Sequence, residues 1–333
     1  MSDNTKISTT FSGLTTVIKK GEVAIQQVMI KIPPKPLFVL FAYGGKTGAR
    51  EMKLAAEYKK RRLEKKYPTA EIRIIHRIKW PSHFKAEWTK LYIELTRPET
   101  ANKYSLWQIH FFGHGEPESL CFEPDKGIAG AKSQIFFDES DKMAPLPWHP
   151  REGIFVLHAC LTAAFEATLN EKKIKAQTCI ANTISKNQKT RCLGQTIGAN
   201  YNVYFSVLVK YNPDDSYQYP IYRRKEITTT ARQDAEEFKY RTLRPINYVL
   251  NEKSEVDRVL WGYALLKGEA YTHAENHQIA YKRLFKKSYP MYEEIKILGP
   301  KGQIMPCRVF NNGVLENRIV KAGYFNNNDL EYI

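Results

Sequence analysis

Two stretches decide the fold: Trp107-Gln-Ile-His-Phe-Phe-Gly-His114-Gly115 and Gly153-Ile-Phe-Val-Leu-His-Ala-Cys160-Leu-Thr162. Each is an apolar run of strand length that ends in a reactive side chain, the imidazole of His114 or the thiol of Cys160. A thiol needs a base to become a good nucleophile, and imidazole is the usual base. Two adjacent parallel strands would place both side chains at one edge of a sheet, where α/β proteins have their sites.

The segments before the first stretch alternate between strand and helix patterns. Residues 37–43 and 70–78 are apolar or partly alternating and predict strands, whereas helices are predicted from Thr47 to about residue 66 and from Ser82 to about residue 95, with these two residues as caps. The apolar stripes at helical spacing are Met52, Ala55, Ala56 and Leu63 in the first helix and Phe84, Trp88, Leu91 and Leu95 in the second. This alternation predicts an α/β domain with a mostly parallel sheet and covering helices.

The remaining segments are predicted more coarsely. Residues 1–30 are a polar N-terminal segment with a short strand near 23–32, and residues 116–152 form a long acidic connection. A helix is predicted from Cys160 to about residue 172, and strands at 178–183 and 203–209. We therefore expect an α/β/α domain over residues 31–230 and an accessory region over 231–333, helical to about 288 and then made of short strands.

The net charge of +16 is unevenly distributed. Residues 101–160, which carry both reactive side chains, hold five Lys or Arg against eight Asp or Glu and are an acidic island in a basic protein. The densest positive run, Lys59-Lys-Arg-Arg-Leu-Glu-Lys-Lys66, lies on a predicted helix that also contains glutamates. Since no nucleic-acid motif accompanies it, we interpret this run as a solvated helix face and expect no nucleic-acid partner.

The cysteines and the N-terminus bear on the compartment. The five cysteines are odd in number and form no C-x-x-C pair, which argues against a disulfide framework and a thiolate zinc site. The first ten residues are polar, and no run approaches the roughly 20 apolar residues of a membrane span. We expect a cytoplasmic protein without a membrane partner; delivery elsewhere without a cleaved signal stays open.

The two reactive side chains have local sequences that suit catalysis. A helix beginning at Cys160 would lower the pKa of its thiol and offer backbone N–H groups to a developing oxyanion. Gly113 and Gly115 flank His114 and permit a sharp turn, and the N–H of Gly115 is a candidate oxyanion donor. The alternatives are an inert buried cysteine and a histidine in an ordinary turn.

Three further polar residues lie near these positions. We expect His110, inside the first stretch, to be a satisfied core histidine. His158 lies two residues before Cys160 and on the same strand face, so it is a candidate wall of the substrate pocket or a rival base. Asn182, near the end of a predicted strand, is a candidate for the same pocket, with an ordinary turn residue as the alternative.

The two stretches together resemble the signature blocks of CHAT-domain proteases, which belong to the caspase-like group of cysteine peptidases. The histidine precedes the cysteine by 160 − 114 = 46 residues, and Ala159-Cys160 keeps the alanine of the caspase signature. The resemblance covers roughly residues 36–210 and implies a caspase-like three-layer α/β/α domain. It also implies His114 as general base, Cys160 as nucleophile, the N–H groups of Gly115 and Cys160 as oxyanion hole, and a protein or peptide substrate without a cofactor or metal.

Two departures from this family leave the cleavage preference open. Residues 161–163 are Leu-Thr-Ala, whereas many relatives have a glycine soon after the nucleophile. Relatives that cut after Arg or Lys often carry an acid where this chain has His158, and caspases carry a glutamine. Many relatives are inactive until they are processed or bind a partner, so the resemblance implies an activating or regulatory partner. A bacterial immunity effector and a toxin both fit.

The motifs for phosphate binding and for metal binding are less complete than the histidine–cysteine pair. Gly45-Lys46-Thr47 follows a strand like a phosphate-binding loop, but position 40, where that motif needs a glycine, is Leu; a helix cap explains these residues better. His273 and His277 share a helix face at i and i+4 without an obvious third metal ligand. The leading alternative to an enzyme is a catalytically silent caspase-like fold that binds nucleic acid or a partner protein.

Overall fold

The structure is a computed structural model that describes residues 14–19, 22–27, 33–125, 132–196, 198, 200–211, 221–230, 260–264, 278–290, 292, 304–316 and 320–323. The strands are β1 (Leu14–Lys19), β2 (Glu22–Gln27), β3 (Lys35–Tyr43), β4 (Glu71–Ile78), β5 (Tyr104–Phe112), β6 (His114–Glu116), β7 (Ser119–Cys121), β8 (Gln134–Ile135), β9 (Ile154–His158), β10 (Arg191–Gln195), β11 (Asn200–Tyr211), β12 (Ile221–Thr230), β13 (Leu260–Ala264), β14 (Ile304–Asn311), β15 (Val314–Leu315) and β16 (Val320–Gly323). The helices are α1 (Ala49–Lys66), α2 (Pro81–Thr96), α3 (Glu171–Lys175) and α4 (Ile180–Gln188), with a helical run over 278–285.

The main sheet has the order β15-β14-β10-β9-β5-β3-β4, and β16 also pairs with β14. The five strands from β10 to β4 are parallel, and β14 runs antiparallel to β10. The strands predicted at 37–43 and 70–78 are β3 and β4, and the two deciding stretches supply β5 and β9. The prediction of an α/β fold with a mostly parallel sheet is confirmed.

Helices α1 and α2 cover opposite faces of this sheet. Phe84 of α2 packs against Phe41 and Phe111, with ring centroids 4.9 and 5.8 Å apart. Since neighbouring strand residues point to opposite faces, His110 faces away from α2. The charge of Lys59 on α1 contributes to the lowered pKa of His110, after burial, which places this histidine on the side of α1. The apolar stripes predicted for both helices are buried. The arrangement is compatible with a three-layer α/β domain.

The segment after Cys160 is not the predicted helix. Residues 160–163 form a turn, a short 3-10 helix covers Phe165–Thr168, and α3 begins only at Glu171. Leu161 has φ 59°, outside the helical region, and the carbonyl of Thr162, which a helix would use internally, accepts the N–H of Ala181 of α4 at 3.0 Å.

The strand predicted at 178–183 is also wrong, because α4 begins at Ile180. Its buried positions are Ile180, Ala181, Ile184, Ser185 and Gln188. This spacing is helical once the segment is followed to its end, whereas its first residues alone are too short to distinguish a strand from a helix.

The predicted caps of the first two helices differ from those observed. Helix α1 has Gly48 at its N-cap with φ 84°, and helix α2 has Trp80 at its N-cap and proline in its first turn. Thr47 therefore lies before the N-cap of α1, and Ser82 lies inside α2. Proline needs no hydrogen-bond partner for its nitrogen, which suits the first turn of a helix.

Strand β14, which follows residue 230, pairs with β10 and so belongs to the main sheet. The helical prediction for 231–288 falls mostly outside the described residues, whose parts there are β13 and the helical run over 278–285. The predicted strand at 203–209 lies within β11, which pairs with β12 and β13, and β2 pairs with β1. Among the described residues, no helix combines the length and apolar character of a membrane span.

Candidate active site

The two deciding stretches meet at the carboxyl ends of β5 and β9. The N–H of Gly113, just after β5, donates to the carbonyl of His158 at the end of β9 at 3.3 Å. A Cβ atom placed on Gly115 would lie 2.7 Å from Cγ2 of Thr162 and 3.1 Å from the carbonyl oxygen of Cys160. Because glycine has no side chain, the backbone after His114 rests directly on the turn that contains Cys160.

The imidazole of His114 is oriented by a backbone carbonyl. Its Nε2 lies 2.8 Å from the oxygen of Thr47, and the ring meets the ring of Tyr43 edge-on at a centroid distance of 5.0 Å. A carbonyl oxygen can only accept, so Nε2 carries the hydrogen in this contact. In the neutral ring the lone pair is then on Nδ1, the nitrogen available as a base.

The loop that presents the Thr47 carbonyl is tightly packed. The N–H of Gly44 donates to the carbonyl of Ile78 at 2.9 Å, and a Cβ on Gly44 would lie 2.3 Å from the Cα of Arg77. A Cβ on Gly45 would lie 2.9 Å from Oε1 of Glu123 and closer still to the Tyr43 ring. Larger residues at either position would displace this loop.

Glu123 fixes this loop from the long connection after β7. Its Oε1 accepts the N–H of Lys46 at 2.5 Å, and its Oε2 lies 3.3 Å from Nζ of Lys79. The hydrogen bond from Lys46 is the main reason that the pKa of the Glu123 carboxyl is lowered, with further contributions from Lys79. The sequence analysis missed Glu123, Tyr43 and the Thr47 carbonyl, and only the glycine pair signalled a tight turn there.

Cys160 lies in a constrained turn and not at the N-terminus of an α-helix. The expectation that a helix dipole acts on its thiol was therefore wrong. Its side chain is partly exposed, and the following Leu161 has φ 59°, in the left-handed region that favours glycine. Thr162 is buried, donates from Oγ1 to the carbonyl of Ala159 at 3.0 Å and accepts the N–H of Gln195 at 3.1 Å. A strained conformation held by such contacts is typical of functional sites.

A buried ion pair anchors the far side of this turn. Arg308 of β14 donates from Nη1 and Nη2 to the two carboxylate oxygens of Glu166 at 2.8 and 2.6 Å. Nη1 also donates to the carbonyl of Ala163 at 3.0 Å, and the guanidinium lies 4.3 Å from the centroid of the Phe165 ring. The C-terminal part of the chain therefore supports the segment that follows Cys160.

The remaining sequence candidates lie in other surroundings. His158 is buried, stacks on Phe112 at 4.2 Å, and its Nε2 lies 2.9 Å from Nδ1 of His110. Burial lowers the pKa of both histidines well below the usual value, with the charge of Lys59 adding to this. The His158 side chain is thus buried on one face of the sheet, beside Phe112 and His110, and does not line an exposed pocket.

Asn182 lies in the first turn of α4 and not near a strand end. Its Nδ2 donates to the carbonyl of Gln177 at 2.9 Å. The neighbouring N–H of Ala181 donates to the carbonyl of Thr162 at 3.0 Å, which connects α4 to the Cys160 turn. The helix thus supports the turn through its backbone, and the Asn182 side chain caps a local bend.

A second thiol lies beside the candidate site. Cys121 of β7 is the register partner of His114 and is partly exposed. The pKa of the Cys121 thiol is raised to about 11, mainly by burial and secondly by the charge of Glu116. Cys160 raises it further. A thiol with so high a pKa is a poor nucleophile near neutral pH, which makes Cys121 a useful control for Cys160.

The rival chemistries receive no support from the described residues. Glu123 places a carboxylate on the N–H of Lys46, where a phosphate-binding loop would bind its phosphate. Within the described ranges, no group of three His, Cys, Asp or Glu residues is arranged to hold a metal ion. His273 and His277 lie outside these ranges.

Comparison of the chain with protein-family models, curated proteins and solved structures gave no match.

Proposed function

We propose that this protein is a cysteine endopeptidase with a caspase-like, CHAT-like catalytic domain. The observation that carries the proposal is the packing of Gly115 on the Cys160 turn, next to an imidazole whose Nε2–H is held by the Thr47 carbonyl. Nucleophilic catalysis requires a base and a thiol, and here a base with a fixed tautomer precedes the glycine that packs on the turn of a partly exposed thiol.

The proposed reaction hydrolyses a peptide bond in two steps. Nδ1 of His114 takes the proton of the Cys160 thiol, and the sulfur attacks the substrate carbonyl carbon. The tetrahedral intermediate collapses to a thioester as the amine leaves with the proton from His114. Water, deprotonated by His114, then attacks the thioester and releases the carboxylic acid and the thiol. The N–H groups of Gly115 and Cys160 are the proposed oxyanion donors.

The fold and the turn support the caspase-like assignment. The histidine and cysteine follow β5 and β9, which are adjacent parallel strands, as the resemblance requires. Leu161, where the family pattern often has a glycine nearby, adopts the left-handed conformation that glycine adopts at low cost. The departure in sequence therefore does not imply a different backbone at this point.

A mixed peptide library tests the proposal. We expect cleavage by the parent protein and by Cys121→Ser, and none by Cys160→Ala or His114→Ala. Cleavage that survives the loss of Cys160 would refute the proposal. If no form cleaves, labelling with a peptide carrying a thiol-directed electrophile decides: selective reaction at Cys160 supports a latent enzyme, whereas its failure favours the catalytically silent binding module.

A further inference from the structure

We infer that Glu123 is a positioning residue that keeps the imidazole of His114 in its catalytic orientation by holding the loop of Thr47. The inference rests on the proposed function, because it assigns Glu123 a role in that reaction. It does not place Glu123 in contact with the substrate. Its action passes through two adjacent residues of the loop between β3 and α1, the N–H of Lys46 and the carbonyl of Thr47.

Glu123 itself is firmly placed. Its backbone N–H donates to the carbonyl of Lys79 at 3.0 Å, and its carboxylate forms an ion pair with the side chain of the same lysine at 3.3 Å. Its side chain is only 17% exposed. The backbone hydrogen bond, which does not depend on the lysine side chain, keeps Glu123 at the end of β4, so its carboxylate can act as a fixed point for the neighbouring loop.

The loop connects this fixed point to the base. Oε1 of Glu123 accepts the N–H of Lys46, and the next residue, Thr47, accepts Nε2–H of His114 at 2.8 Å. Gly45 packs so closely on Glu123 and Tyr43 that no side chain fits there. Since the loop has few residues, releasing Lys46 would shift the Thr47 carbonyl, and the ring of His114 would lose its acceptor.

The alternative role of Glu123 is to balance the charge of Lys79, and three variants separate the two. Glu123→Gln keeps an oxygen acceptor for Lys46 and removes the charge, whereas Glu123→Ala removes both. Lys79→Met is the matched control, because it breaks the ion pair and leaves the hydrogen bond to Lys46 in place. A positioning role predicts that only Glu123→Ala impairs the site.

Two measurements on the intact 333-residue chain test the inference: kinetics with a peptide from the library, and the ¹⁵N chemical shifts of the His114 ring. For Glu123→Ala we expect kcat to fall about 10- to 100-fold, with KM within about twofold, since small misplacements of a catalytic group have effects of this size. The ring should change from the Nε2–H tautomer to a mixture. Glu123→Gln and Lys79→Met should resemble the parent in both measurements.

An unchanged tautomer and kcat in Glu123→Ala would overturn the inference, as would an equal loss in Lys79→Met. The ring shifts do not depend on peptide cleavage. If the parent neither cleaves a peptide nor reacts selectively at Cys160, the proposed function fails, but the tautomer of His114 in Glu123→Ala still decides whether Glu123 positions this ring.

Discussion

Replacing Arg308 by methionine should strongly destabilise the protein. The side chains of Arg308 and Glu166 are only 7% and 4% exposed, and two hydrogen bonds join them. Burial disfavours the charged guanidinium, but its contacts with Glu166 outweigh this and raise the pKa of Arg308. Without Arg308, the buried carboxylate of Glu166 loses its counter-charge and two donors.

The expected loss in the free energy of unfolding is about 3–5 kcal/mol, the usual cost of breaking a buried ion pair from one side. The double variant Arg308→Met/Glu166→Met should recover most of it, because no charge is then left buried. A cost of about 1 kcal/mol should remain, since the Ala163 carbonyl also loses its donor.

Urea unfolding measures these differences, and a second ion pair supplies the control. Arg73 and Glu94 also form two hydrogen bonds, at 2.6 and 2.9 Å, but their side chains are 27% and 30% exposed. Because water can solvate Glu94 when its partner is lost, Arg73→Met should cost only about 1 kcal/mol. The reasoning is refuted if Arg308→Met costs no more than Arg73→Met, or if the double variant is as unstable as the single one.

Two further predictions concern the core behind the site. Because the pKa values of His110 and His158 are lowered in the folded protein, the unfolded chain binds more protons at low pH. The free energy of unfolding should therefore fall as the pH drops below about 6.5, by up to about 2.7 kcal/mol per pH unit for the two histidines together. Urea unfolding between pH 7.5 and 5.5 should show this loss in the parent and in His76→Gln, which replaces an exposed histidine as a control, and a flat profile would contradict the prediction. Thr162→Val should cost about 1–3 kcal/mol because it leaves the N–H of Gln195 without its acceptor, whereas Thr162→Ser should be close to the parent in thermal denaturation.

Local sequence predicted the elements that have strong patterns. The strand at 37–43 and the stripe from Phe84 to Leu95 combine apolar residues at one clear spacing with turn signals, and both elements appear where they were expected. The errors followed from contacts with distant segments. The carbonyl of Thr162 accepts the N–H of Ala181 on α4 and is therefore not available to the helix expected after Cys160.

The candidate site divides in the same way. His114 and Cys160 were identified because a glycine-flanked imidazole and a thiol each follow an apolar run of strand length. Glu123 was not identified, because its partner Lys46 is 77 residues away and no local pattern marks a glutamate that accepts a distant backbone N–H. His158 was expected to line the substrate pocket but is buried, because strand alternation does not determine which sheet face a helix covers.

The sequence by itself determined the parallel sheet and the two residues proposed for catalysis, because apolar periodicity, glycines and reactive side chains are local properties. Only the tertiary structure decided that the Thr47 carbonyl orients His114, that the segment after Cys160 is a turn, and that Arg308 anchors it. These contacts join segments that lie far apart in the chain. Their energies exist only after the sheet has brought the partners together, so no local pattern encodes them.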